Sequence, residues 1–453
     1  MADFVTVDRK TCYLLPPSVD DWLNEDHLAR FVVEVIDDLD LTELTRQYAG
    51  RGSKAHHPAT LLAILVYGYA TGIFSSRKLE RATYDSVAFR YIAAGTHPDH
   101  DTLANFRRRF LREVQALFVQ VLEVAKELKL FKLGAVCLDG TKIHANASRH
   151  SALSHGHIEK LEVQLNAEVA ELLTLAEAAD EANIPDGVSL PEELKRRQDR
   201  LAAMAIAKGK IAARAAERHA QERRAYEQKV AARAAKEERT GKKPGGGPPQ
   251  PPQAGPKATD QVNLTDEDSR IMPVAGGGFE QAYNAQIAVD AVTMLVLGTG
   301  VTQAPNDKEQ ITPMLGTLAA QAPTLGVEQL IADAGFYSEA NIQACTAAGM
   351  EPLIAVARDE HHPDWRERHS EPAALPADAT VAQTMAHRLK TKTGRARYAL
   401  RKQTVEPVFG IIKSVLGFRQ FSLRGLAQVQ GEWSLVCLAW NLKRMAVLRP
   451  KFG

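Results

Sequence analysis

The spacing of apolar positions changes twice along the chain, and each change marks a different kind of structure. From about residue 20 to 130, apolar residues recur at three- and four-residue steps, the spacing of helices with a buried face. "PATLLAILVYGYATG" is apolar almost throughout and ends on Gly72, which predicts a buried helix closed by a glycine cap. "SRKLERATYDS" predicts a second helix capped by Ser75 or Ser76, and "VAFRYIAAG" follows after one short step. "DHDTLANFRRRFL" opens on an Asp or Thr cap and ends on three arginines, which suit a helix C-terminus. At "KLGAVCLDGTKIHA" the texture shifts: the apolar run Gly134–Leu138 predicts a buried strand whose last residue is Asp139. Further strands are predicted at "AYNAQIAVD" to Asp290, "MLVLGTGVT", "QLIADAGF" with Asp333, and "EPLIAVA" to Ala357. Helical stretches over 307–321 and 338–349 separate the last three, and this alternation predicts a mixed α/β sheet.

An insertion interrupts the strand pattern. Ile158, Leu161, Leu165, Val169 and Leu172 lie at helical steps, and a second Ala/Arg/Glu-rich helix runs to about Arg239 after the breaker "NIPDGVSLPEE". Ser189 and Glu192 have the spacing of a capping box. The two helices predict an antiparallel hairpin arm, its charges either a solvated face or a DNA contact. "GKKPGGGPPQPPQAGPK" can sustain neither a core nor a ladder and reads as a flexible or polyproline-like linker. The predicted division is therefore 1–130, a helical N-terminal segment; 131–154, the first part of the sheet domain; 155–240, the hairpin; 241–258, the linker; and 259–453, the rest of the sheet domain with basic C-terminal helices.

Composition is that of a globular protein, 45% hydrophobic and 25% charged over 453 residues. No apolar run is long enough for a membrane span, no secretory leader is evident, and four widely spaced cysteines form no CxxC pair. A cytoplasmic protein without a membrane partner is the expectation. The net charge of +1 conceals an uneven distribution. Residues 46–112 hold eleven Lys or Arg against four acids, and residues 387–453 hold fourteen against two. Two basic segments divided by acidic sequence suit a chain that grips a phosphate backbone at two places. The N-terminal helices fit a helix-turn-helix-like DNA module or a plain bundle equally well by period, and only their charge favours the former.

Against that basic background Glu406 stands out, sharing residues 387–453 with only one other acid, Glu432. Asp139 and Asp333 each close an apolar strand, "VCLD" and "LIAD". Three carboxylates from two strand ends and one helix could hold two Mg²⁺ ions for phosphoryl transfer, although strand-terminal aspartates are also common turn formers. Asp290 and Asp307 are the substitutes if one of the three lies elsewhere. Glu406 and Lys413 are two helical turns apart, on one face. Pro407 disfavours helical geometry at Glu406, a conflict removed if Thr404 caps a new helix with Pro407 in its first turn.

"LDGTKIHANAS", "GGFEQAYNAQIAVD", "IADAGFYS" and "RKQTVEPVFGIIKSVLGFRQFSLRG" resemble the bacterial insertion-sequence DDE transposases, most closely the IS-eleven-eighty-two-like branch. "GYATGIFSSRKLERA" and "HPDHDTLANFRRRF" are similar to the N-terminal domain of the same proteins. The resemblance spans about 10–150 and 260–448 and leaves the arm and linker as a variable insertion. It implies a ribonuclease-H-like catalytic domain of α/β class, an all-α N-terminal DNA-binding domain, and Asp139, Asp333 and Glu406 as a triad for two Mg²⁺ ions, with Mn²⁺ able to substitute. The implied partners are double-stranded DNA, both the element's terminal repeats and the target, and a second copy of the chain when DNA is bound. The implied DNA contacts are Arg77, Lys78, Arg81, Arg107, Arg108, Arg109, Tyr398, Arg401, Lys402, Lys413 and Arg424. Tyr398 and Arg401 lie one residue further from Glu406 than the commonest family spacing. The competing readings are a metal-dependent nuclease on the same fold without strand transfer, and a catalytically idle DNA-binding repressor.

Several other features point to less. His144, His150, His155 and His157 have no acid or cysteine at ligand spacing and read as solvated. Trp433 and Trp440 read as helix core rather than base-stacking wedges. Gly276–Gly278 read as a turn, because no P-loop Lys-Ser/Thr follows.

Overall fold

The computed structural model describes residues 18–48, 55–131, 134–177, 189–242, 245–274, 276–322, 326–357, 370–376 and 378–449. Most of the predicted breaker before Ser189, and Cys12, lie outside them. The described residues form two compact units. The larger takes those up to Ala145, Met272–Gly278 and everything from Ala282 on; the smaller takes Asn146–Ile271 and Phe279–Gln281.

The N-terminal part of the larger unit is helical: α1 (Leu28–Asp37), α2 (Thr42–Arg46), α3 (Pro58–Thr71), α4 (Ser76–Asp85), α5 (Val87–Ile92), α6 (His100–Arg109) and α7 (Leu111–Glu127). The caps follow local chemistry. Asp99 accepts from the Thr102 amide at the start of α6, whereas Ser75 caps α4 without a side-chain hydrogen bond. Gly72 ends α3 at φ 84°, and a side chain there would lie 2.8 Å from the Leu416 carbonyl, so both conformation and space require glycine. Together α3 and α4 are apolar enough for a span only across a 96° bend; no single helix among the described residues is long and apolar enough to cross a membrane.

The strands are β1 (Ala135–His144), β2 (Ala152–Ser154), β3 (Gln261–Asn263), β4 (Arg270–Pro273), β5 (Phe279–Asp290), β6 (Val296–Thr302), β7 (Gln329–Ala332) and β8 (Glu351–Ile354). Between and after them lie α8 (His155–Glu177), α9 (Leu190–Thr240), α10 (Ile311–Gln321), α11 (Glu339–Ala347), α12 (Val381–Lys390), α13 (Lys392–Gln403), α14 (Val405–Gly410) and α15 (Leu426–Leu448). The central sheet runs β6-β5-β1-β7-β8, and β4 also pairs with β5. Neighbours β6–β5 and β5–β1 are antiparallel, while β1–β7 and β7–β8 are parallel. A mixed α/β sheet is thus what the alternating pattern produces.

One boundary differs from expectation, and it matters. β1 does not end at Asp139: it stays paired with β5 as far as His144, while its pairing with β7 stops at Leu138 opposite Ala332. Residues 139–143 therefore have a strand neighbour on one side only, and His144 meets Gln420 in a parallel bridge on the other. The apolar run in the sequence marks the doubly covered part of the strand, Val136–Leu138, which is buried; the polar continuation "DGTKIH" keeps the strand but leaves that cover.

The helix α15 is buried nearly all round, packing on α3, α7 and β6. Trp433 and Trp440 belong to this core: their indole N–H groups donate to the Gln286 and Met294 carbonyls at 3.1 and 2.8 Å. The smaller unit is organised around α8 and α9. Glu162 pairs with Lys208 and Glu168 with Arg197, so the two helices run antiparallel over Ile158, Leu165, Met204, Ala207 and Ile211. Ser189 caps α9 without a side-chain hydrogen bond, so the anticipated capping box is not formed. The Pro/Gly stretch forms no ladder but is tied to α9 at two points. Arg233 donates to the Gly246 carbonyl at 2.7 Å, and Arg218 to Gly255 at 3.4 Å.

Candidate active site

The stretch of β1 beyond its β7 partner presents alternate residues to opposite faces of the sheet. Asp139 and Thr141 point one way, Gly140 and Lys142 the other. In register, Gly140 lies opposite Gln286 and Lys142 opposite Asn284 on β5. Asp333 and Asp139 each follow directly on the last residue of the β1–β7 pairing, Ala332 and Leu138. The two acids therefore emerge side by side from adjacent parallel strands. Asp333 also caps a 3-10 turn, Ala334–Phe336, accepting from the Gly335 amide at 2.8 Å.

Glu406 comes from the C-terminal helices, and proline decides how. The helix α13 ends at Gln403, Thr404 departs from helical geometry at φ −123° and ψ −77°, and α14 restarts at Val405 with Pro407 in its first turn. There the missing proline N–H costs no intrahelical bond. Thr404 was anticipated as the cap of a new helix, and α14 does start there, but its hydroxyl makes no cap bond: it donates backward to the Leu400 carbonyl at 2.7 Å. Glu406 sits in the first turn, 47% exposed. A π-helical turn, Ile411–Val415, then carries Lys413, whose ammonium donates to the Thr141 hydroxyl (3.0 Å) and the Lys142 carbonyl (3.1 Å).

Arg401, in the last turn of α13, joins these parts. One guanidinium nitrogen is 3.2 Å from Asp139 Oδ2 and the other 2.9 Å from Glu406 Oε1. Burial dominates the electrostatics at Asp139, pushing its carboxyl up to about 7; Arg401 pulls it down, and the Asp333 and Asp307 charges push it further up. Burial likewise lowers the Lys142 and Lys413 ammonium groups. Asp307 lies just before α10. Its Oδ1 accepts from Asn284 Nδ2 (2.7 Å) and Gln286 Nε2 (2.6 Å), with Lys142 Nζ at 4.0 Å. Asp290, the other substitute, is remote: it pairs in register with Val136 and accepts from the Thr293 amide in the turn to β6.

The donor chemistry, carboxylates and amide oxygens, fits a hard divalent cation. Buried Asn284 Oδ1 and Gln286 Oε1 also accept no hydrogen bond, which leaves acceptors to be filled. With the Arg401 guanidinium lying between Asp139 and Glu406, no three His, Cys, Asp or Glu side chains among the described residues converge as ligands for one ion. Asn284, Gln286 and Lys142 were not anticipated as site residues. The signal available was the alternation in "YNAQ", with Asn284 and Gln286 at every second place in a strand otherwise buried; "DGTK" has no such alternation.

The basic residues fall into distinct settings. Arg77 and Lys78 are exposed on α4, as are Lys402 and Arg424, while Arg81 pairs with Asp85 at 3.0 Å. Tyr398 is half-buried on α13. The consecutive arginines of α6 diverge. Arg108 is exposed, Arg109 donates to the Gln47 carbonyl, and Arg107 turns inward to the Tyr69 hydroxyl (2.9 Å) and the Phe74 carbonyl (3.0 Å).

Two family models match the chain: a transposase domain (DUF772) over residues 17–109 and a transposase DDE domain over residues 261–442. No curated protein and no solved structure significantly matches it.

Proposed function

Because the chain belongs to the insertion-sequence DDE transposases, we propose that it cleaves double-stranded DNA at its element's ends and joins the freed 3′-hydroxyl to target DNA. In this reading Asp139, Asp333 and Glu406 form the divalent-metal triad. The observation that carries it is positional: two acids stand one step beyond the last residues of the β1–β7 pairing, and the third is linked to the first through Arg401. The strand order β6-β5-β1-β7-β8, with its first two pairings antiparallel and the rest parallel, supports a ribonuclease-H-like catalytic fold.

A bound pair of divalent cations, Mg²⁺ with Mn²⁺ as a substitute, supplies charge neutralisation at the phosphate and a lowered pKa for the attacking water or hydroxyl. The residues of the chain do the rest. Asp139 must give up its proton to act as a ligand, so its raised pKa sets a proton in competition with metal. Arg401 neutralises two of the triad carboxylates and presents the planar fork that also suits a phosphate. Lys413 and Lys142 flank β1 on opposite faces and bring positive charge to the strand that carries Asp139. The exposed cations Arg77, Lys78 and Arg108 offer non-specific phosphate contacts.

The test is a cleavage-and-joining assay with the full chain, Mg²⁺ and the DNA that flanks its gene. Cutting followed by joining is the expected result. Cutting without joining would select the nuclease reading, and binding without cutting the repressor reading.

A further inference from the structure

Asp307 opens a turn through its backbone, its carbonyl accepting from the Gln310 amide at 3.0 Å, but its mostly buried carboxylate has built surroundings of its own. Oδ1 is fixed by the side-chain amides of Asn284 and Gln286, both essentially fully buried on β5. Gly140 makes room for this cluster: a methyl group there would lie 2.2 Å from Gln286 Nε2, 2.6 Å from Asp307 Oδ1 and 2.9 Å from Asn284 Oδ1. The same two amides each leave a buried carbonyl oxygen with no donor. A buried acceptor without a partner is costly, and a hydrated cation beside Asp307 would supply the donors or replace them.

The other oxygen of Asp307 faces the catalytic strands. A methyl group at Gly335 would lie 3.0 Å from Asp333 Oδ1 and 3.9 Å from Asp307 Oδ2, so the two carboxylates look onto one small space next to Gly335. Among the described residues no group donates a hydrogen bond to Asp307 Oδ2. Asp307 lies on the Gly140 side of β1, and Asp333 stands just past Ala332, where β7 stops pairing with β1, so the Asp307–Asp333 pair meets at the open end of β7.

We infer that Asp307 is a fourth carboxylate of the metal centre, paired with Asp333 across Gly335 and locked in place by the Asn284 and Gln286 amides. This rests on the triad reading above and adds to it a residue that does not come from a strand end or from the C-terminal helices. Asn284 and Gln286 become positioning residues: with Oδ1 held, the remaining oxygen has one direction left to point.

The test is Mn²⁺ titration of the full-length chain without DNA, followed by electron paramagnetic resonance of the unbound ion. Asp307→Asn keeps the shape and the ability to accept from both amides but loses the charge. It is expected to weaken Mn²⁺ binding about tenfold or more, or to remove one equivalent. Gly335→Ala alters no ligand and, with Gly335 exposed and outside the left-handed region, should keep its thermal midpoint; its methyl group in the shared space should weaken Mn²⁺ as well. If Asp307→Asn fails to fold, Asp307→Ser, which also removes the carboxylate, decides instead, because the Gly335 methyl would lie nearer Asp333 (3.0 Å) than Asp307 (3.9 Å). Both variants binding Mn²⁺ like wild type, while Asp139→Asn and Asp333→Asn bind it weakly, would overturn the role of Asp307 and leave the triad intact. Wild-type binding by all four would overturn the triad reading and this inference with it.

Discussion

Two arginine–carboxylate clusters in the larger unit each leave a buried arginine Nε without a partner but differ in how their carboxylate oxygens are satisfied. In the first, Glu432 lies fully buried on α15, with one oxygen accepting from the Tyr69 hydroxyl at 3.2 Å and the other from the Ser422 and Leu423 amides at 2.9 and 3.0 Å. Arg107 completes it through Tyr69. In the second, Asp139 and Glu406 share Arg401, Glu406 is half open to solvent, Asp307 keeps one oxygen unengaged, and two buried amide oxygens have no donor. A charge network that only holds helices together satisfies its carboxylate on both oxygens. The network at the strand edge gathers negative charge and unpartnered acceptor oxygens, an arrangement that suits a cation.

The largest test of this contrast is on stability. Removing one partner of a buried charge network strands the others, so Glu432→Ala should cost about 3–5 kcal/mol in urea unfolding. Glu406→Gln should change stability by no more than about 1 kcal/mol, as expected of a half-exposed ion pair. Equal costs would erase the distinction.

The next effect is on pH dependence. The folded pKa of Asp139, about 7, lies above the ordinary carboxyl value of 3.8, because burial disfavours the anion. The native state therefore holds this proton longer than the unfolded chain, and metal-free stability should decline as pH rises from about 4 to 7. At about 1.4 kcal/mol per unit, this amounts to a few kcal/mol. Asp139→Asn should flatten that part of the profile and exceed wild type in stability at pH 8 without metal. An unchanged slope would mean that Asp139 is already ionised in the folded protein.

The smallest effect separates neighbouring arginines. Arg108→Ala should lower the salt slope of DNA binding by about one phosphate contact and leave stability alone. Arg107→Ala should destabilise the fold, because it removes the donor to Tyr69 and the Phe74 carbonyl. The reverse pattern would place Arg107 against DNA.

The periodicity made the sheet legible because fully covered strands read as unbroken apolar runs, and "VCL" and "LIA" did so. The same logic misplaced the end of β1, since a strand that loses one neighbour turns polar without ceasing to be a strand. Helix ends at Gly72 and Asp99 were readable with their caps, whereas Ser75, Ser189 and Thr404 mark the anticipated helix starts but make no side-chain cap bond. Ser and Thr can bond forward or backward, and at Thr404 the backward bond to Leu400 prevails. The inward turn of Arg107 beside exposed Arg108 depends on where Tyr69 lies, 38 residues earlier in the chain. Asn284 and Gln286 escaped notice because their importance comes from Asp307, reached across a different loop.

The most direct test of the triad compares wild type with Glu406→Gln on DNA carrying the element's end. Gel-shift titration and strand cleavage are measured on the same preparations in Mg²⁺. The substitution keeps the side chain's shape but removes the charge that binds a hard cation. DNA affinity should hold or rise, because one negative charge near phosphate is gone, and cleavage should be lost. Normal cleavage by Glu406→Gln would contradict the account and reduce Glu406 to a salt-bridge partner of Arg401.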